Sequence, residues 1–182
     1  ATALPLGYRD AFRGSEITLS EEQLSNVEEE LTRQKEFVLG YTTDTQALTQ
    51  SFQQDNAIAA YTNRTTILNV ISNGVDTVRV ADPEQPEFTW FEGAVVSSES
   101  DNEEAAWEGL NQYISPDIGA DFAEARLIPS TCQAAQENIS SEYENRLVIQ
   151  PSRLEGMIPF KPAANNDAWV EAWQRVQAAY RG

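Results

Sequence analysis

Histidine is absent from this chain of 182 residues, cysteine occurs once and lysine twice. Without histidine there is no Ser-His-Asp triad and no imidazole acid–base chemistry. A single cysteine, Cys132, excludes a disulfide framework within the chain. Together the two shortages exclude Cys/His zinc sites. Cys132 has no histidine to activate it and reads as a small, partly buried residue. No apolar run approaches the roughly 18–20 residues of a membrane span. No basic, apolar, small-residue leader opens the chain: either one was removed, or this sequence never contained it.

Positive charge is the other shortage. Twelve basic residues face 29 acidic ones, for a formal net charge of −17. Only Lys35 and Lys161 are lysines; the remaining basic residues are arginine. Phosphate binding needs a basic surface, so nucleic acid is not an expected partner. Such acidity suits a high-salt habitat, where screening removes self-repulsion. It also suits attraction of cationic ligands.

What is present is an alternation of elements. Ser20-Glu21-Glu22-Gln23 is a capping box that opens a helix with Leu24, Val27 and Leu31 on one stripe. Residues 36–41 and 57–61 read as short buried strands, and 75–81 as a strand with Val at alternate positions. Helices are expected at 45–53 and from Asn63 to Asn73-Gly74. A tail of helix is expected from Leu4 to Phe12, and a Pro-punctuated turn from Asp82 to Glu87. This helix–strand alternation implies an α/β unit with a mostly parallel sheet. Ligands in such sheets sit at the carboxyl ends of strands. Here those ends carry Tyr41-Thr42-Thr43-Asp44 and Tyr61-Thr62-Asn63, which plain helix capping explains equally well.

A further strand is expected over Phe88 to Val96. It carries Trp90 and Glu92 two residues apart, and so on one face. A flat ring and a carboxylate together form a grip for an organic cation. The same spacing also describes one buried and one solvated residue. The rest is mostly helical: 102–114, 116–125, a helix reaching about Tyr143, irregular chain over 151–162, and an amphipathic helix over 167–180. Trp169, Val170, Trp173 and Val176 share one face of that last helix and read as core.

The order of Ala60-Tyr61, Val78-Arg79-Val80-Ala81-Asp82-Pro83, Trp90-Phe91-Glu92, Asn102-Glu103-Glu104-Ala105 and Ser115-Pro116-Asp117, with Trp169 to Arg175 at the end, resembles the second half of the spermidine/putrescine-binding proteins of ABC transporters. The resemblance covers some 175 residues. It implies an α/β, type II periplasmic binding protein-like fold with one lobe largely present and the other only partly represented. Residues 1–90 and 138–182 would form the first, and residues 91–137 would belong to the other, largely missing lobe.

The resemblance implies a noncatalytic, periplasmic solute-binding protein. It would hold a polyamine or related cation in an inter-lobe cleft, deliver it to a transporter permease, and need neither cofactor nor metal. Trp90 resembles the cleft tryptophan, Glu92 the family's amine-pairing acid, and Tyr61 a further aromatic wall. Thr43 and Asp44 complete the candidate ligand set. The family's other cleft positions fall near Ile128 and Pro159, where this chain departs from the pattern. Surface left by the missing lobe would favour self-association. Two alternatives stand beside this reading: an acidic interaction domain, and a carboxylate-based hydrolase using Asp44, Glu92 and Glu155.

Overall fold

A computed structural model describes residues 1–81 and 83–179. Asp82, within the expected turn and the Asp82-Pro83 pair, and Tyr180, at the expected end of the last helix, lie outside the described residues. The chain divides into two compact units. Among described residues, unit one holds 1–43, 83–90 and 156–179, and unit two holds 44–81 and 91–155. The sequence-based division and these units share the crossing after Trp90. They differ over residues 44–81 and 138–155, which fall in unit two.

Unit one is built on two helices, α1 (Glu21–Gln34) and α9 (Asn166–Ala178). Ser20 and Gln23 form the full reciprocal capping box: the Gln23 N–H donates to Ser20 Oγ at 3.1 Å, and the Ser20 N–H donates to Gln23 Oε1 at 3.0 Å. The N-terminal segment is a series of turns leading to a short 3-10 helix at Arg9–Phe12. It supplies Ala3, Leu4, Ala11 and Phe12 to a core completed by Ile17 and Ile158. Val27, Phe88 and Trp169 pack against that core, so one of the two tryptophans on the last helix is a packing residue. Trp173 instead sets its ring edge-on to Tyr41, with centroids 4.8 Å apart.

Two short strands, β1 (Phe88–Thr89) and β2 (Ile158–Pro159), pair in parallel, with Phe88 opposite Ile158 and Thr89 opposite Pro159. The N–H of Ile158 donates to Glu87 O and that of Phe160 to Thr89 O, both at 2.8 Å. Further along the same segment, Ala163 forms a parallel bridge with Ile17. Lys161 fastens this segment by donating from Nζ to Phe12 O at 2.8 Å and Gly14 O at 2.7 Å.

Unit two is helical. α2 (Thr45–Gln53) and α3 (Arg64–Ser72) pack around Ile67, Val70 and Val75, with Leu48, Phe52 and Val78. α4 (Glu103–Tyr113) is followed by α5 (Pro116–Arg126), with proline in its first turn, where the missing N–H costs nothing. Three short helices complete it: α6 (Gln133–Glu137), α7 (Glu144–Leu147) and α8 (Pro151–Leu154). Leu68, Ala123, Leu127 and Leu147 form its second apolar cluster. α5 and α6 approach so closely that a Cβ on Gly119 would stand 3.0 Å from the Ala135 Cβ.

The helices over 45–53, 64–72, 103–113 and 116–126 fall close to their expected places, because caps and apolar periodicity are local signals. The expected strands at 36–41, 57–61 and 75–81 carry no ladder, and 88–96 is extended in a ladder only over 88–89. A buried strand at 36–41 or 57–61 needs partners on both sides. Phe37, Ile58 and Val95 instead stand 86%, 100% and 90% exposed. A parallel ladder needs a neighbour distant in sequence, which a local pattern cannot supply. The helix expected to reach Tyr143 stops at Glu137, and the expected irregular stretch at 151–162 contains α8 and β2.

Candidate functional site

Of the five candidate ligand residues, Thr43 and Trp90 belong to unit one, and Asp44, Tyr61 and Glu92 to unit two. Asp44 has a structural role, because its Oδ1 accepts from the Ala47 N–H at 2.6 Å and caps α2. Asn63 does the same for α3, accepting from the Thr66 N–H at 2.8 Å. Tyr61, just before that cap, projects an exposed ring from irregular chain. Thr43 and Glu92 are exposed.

Trp90 follows β1 directly and is 48% exposed. Its ring meets Phe160 at a centroid distance of 5.7 Å and an interplanar angle of 61°. Phe160 lies 5.4 Å from Phe88, and Phe88 lies 5.6 Å from Phe12. Four rings thus run from the buried core of unit one out to a tryptophan in solvent. Phe160 escapes sequence reasoning because 151–162 reads as irregular. The signal available was Ile158-Pro159-Phe160, two apolar residues at strand spacing.

Two shallow, open depressions lie elsewhere on the surface. One runs along α1 between Glu28, Glu29 and Arg33. Another runs along α4 beside Trp107, Glu104 and Glu108. On α4 the indole N–H of Trp107 donates to Glu103 Oε1 at 3.3 Å.

The electrostatics are those of an acidic molecule in which several of the described cations are engaged in its own fold. Lys35, 6% exposed, donates from Nζ to Val176 O at 2.9 Å, Gln177 O at 3.0 Å and Ala179 O. Those carbonyls end α9, where a cation offsets the helix dipole. Arg64 likewise donates from Nε to Arg146 O at 2.9 Å, at the end of α7. The Glu28 carboxyl is held below the usual carboxylate range, first by its hydrogen bonds from Arg175 and also by the nearby guanidinium charge, with burial opposing. Among the described residues no cluster of three or more His, Cys, Asp or Glu is placed to hold a metal ion. Among them also, no helix is long and apolar enough to cross a membrane.

Compared with models of protein families, with curated proteins and with solved structures, the chain matches none.

Proposed function

We propose that the chain acts as the solute-binding component of an ABC importer outside the cytoplasm, taking a polyamine or related small organic solute and passing it to a permease. The fold proposed is type II periplasmic binding protein-like. The supporting observation is the position of Trp90. It is a half-exposed indole braced by Phe160, with a carboxylate, Glu92, two residues further along the chain. A cation on an indole face gains about 0.5–2 kcal/mol. A charge-assisted hydrogen bond to a carboxylate adds roughly 1.5–3 kcal/mol. Binding of this kind is noncatalytic and uses no cofactor.

Titration calorimetry of the chain with spermidine and putrescine, against glucose, glutamate and sulfate, tests the proposal. Saturable heat with the amines alone, weakened at least about tenfold by Trp90→Ala or Glu92→Ala, is expected. Unchanged affinity in both variants removes the site. No heat with any amine removes the function.

A second reading, an acidic interaction domain, is favoured by Phe37, Ile58 and Val95, which stand almost wholly in solvent. Apolar surface of that kind, where it is contiguous, marks protein contacts. Sedimentation that shows self-association, together with absent amine binding, would favour it.

A further inference from the structure

We infer that α4 is a docking surface for a basic, amphipathic helix of a partner protein. The surface lies wholly within unit two and does not depend on the solute site. α4 runs over Glu103–Tyr113 and buries none of its residues. It meets α5, where Tyr113 sets its ring 4.6 Å from that of Phe122.

Trp107, Leu110 and Ile114 fall on one face, at spacings of three and four. The N–H of Ile114 donates to Leu110 O at 3.2 Å, so helical bonding reaches Ile114. Trp107 is 50% exposed and Ile114 59%. At a rise of about 1.5 Å per residue this apolar ridge is about 10 Å long. The indole N–H of Trp107 donates to Glu103 Oε1 at 3.3 Å, which satisfies its polar edge on its own helix. The apolar body of the ring remains for a partner, and tryptophan is among the residues that most often anchor interfaces.

Charge sets the chemistry of that partner. Glu104 and Glu108 line one depression together with Trp107 and Asn111. Among the described residues neither glutamate has an ion pair. Glu104 gains from the start of the helix, but Glu108 lies a turn further on and repels it. From Val80 to Ala125 the chain has no lysine and no arginine. A lysine or arginine from outside would offset both carboxylates while apolar side chains of the same helix covered Trp107 and Ile114. Ridges on two helices interlock at this spacing. A second copy of this chain would bring a further net charge of −17 to the contact, which disfavours it as the occupant.

Fluorescence anisotropy on the whole chain, at physiological ionic strength, tests this with a dye-labelled peptide of about four helical turns. The peptide carries leucine on one face and lysine on the other, and is compared with one of the same composition in scrambled order. The ordered peptide is expected to bind at least about fivefold more tightly. Trp107→Ala and the double variant Glu104→Gln/Glu108→Gln are each expected to weaken it at least about fivefold. Glu21→Gln/Glu22→Gln removes the same charge from α1 and is expected to stay within about twofold of the parent. Thermal melts check folding, and Ile114→Ser replaces either α4 variant that fails to fold. Binding of neither peptide, equal binding of both, or equal loss in the α1 and α4 variants overturns the docking surface. A dimer seen by sedimentation and dissolved by Trp107→Ala would give the ridge to a second copy and overturn it too. Trp90 and Glu92 stay intact in every variant, so the solute-binding reading is decided separately.

Discussion

Arg175 forks onto Glu28: its Nε and Nη2 each donate at 2.9 Å, one to each carboxylate oxygen. The two residues stand 147 positions apart, and their pairing ties α9 to α1. Two parallel hydrogen bonds fix direction as well as distance, which lysine in place of the arginine could not do. The guanidinium lies at the surface, so salt is expected to weaken the pair. Because folding lowers the Glu28 pKa, the stabilisation is present above the unfolded carboxylate pKa. It is lost as pH falls through the lower folded value. Glu28→Gln should therefore melt below the parent at pH 7. The gap should stay constant down to the ordinary carboxylate range and close in stronger acid. Melting curves across pH check this, and a gap that widens in acid would contradict the assignment.

Lys35→Met should cost more. The methionine keeps most of the buried stem but leaves the last carbonyls of α9 without their donor. A buried unpaired carbonyl costs about 1–3 kcal/mol, and three carbonyls share this one ammonium. Urea unfolding should show a lower midpoint, and hydrogen exchange should quicken first at the end of α9.

At Asp44 the cap and the charge can be separated. Asp44→Ala removes the acceptor for the Ala47 N–H and should cost about 1 kcal/mol. Asp44→Asn keeps an acceptor and should leave stability unchanged. Thermal melts of both variants check the cap. A loss of amine affinity in the asparagine variant would then report the carboxylate charge alone.

Gly119→Ala sets two effects against each other. Alanine in place of glycine favours a helix by up to about 1 kcal/mol. Overpacking costs about 1–3 kcal/mol. The obstructing atom is the Cβ of Ala135, fully buried and without a rotamer to move. The clash should win, giving net destabilisation of about 1 kcal/mol. Ala135→Gly placed in the same chain should recover part of that loss, which a double-mutant cycle measures.

The helical parts were legible because their signals are short-range. The Ser20-Gln23 box, the Asp44 and Asn63 caps and Pro116 each act within four residues. Leu127 shows the limit of such reading. It ends α5 in a left-handed conformation, φ 53, where a glycine is usual. The apolar cluster it enters with Leu68 and Leu147 gives the leucine its reason, and that cluster is invisible in a local window.

The strands failed on the same ground. Phe37-Val38-Leu39 and Ala57-Ile58-Ala59 have strand composition, but composition does not supply a partner. At the candidate site, Trp90 could be singled out from sequence. Its contact with Phe160 could not, because β1 and β2 are brought together from about seventy residues apart.

Both lysines of the chain are tied to carbonyl oxygens of its own backbone. Amine-directed acylation of the folded protein therefore meets side chains that must first leave their oxygens. Modification at Lys35 would proceed no faster than the end of α9 opens. The lysine shortage thus turns into a clock, in which the uptake of an acyl group at one residue counts the openings of one helix end.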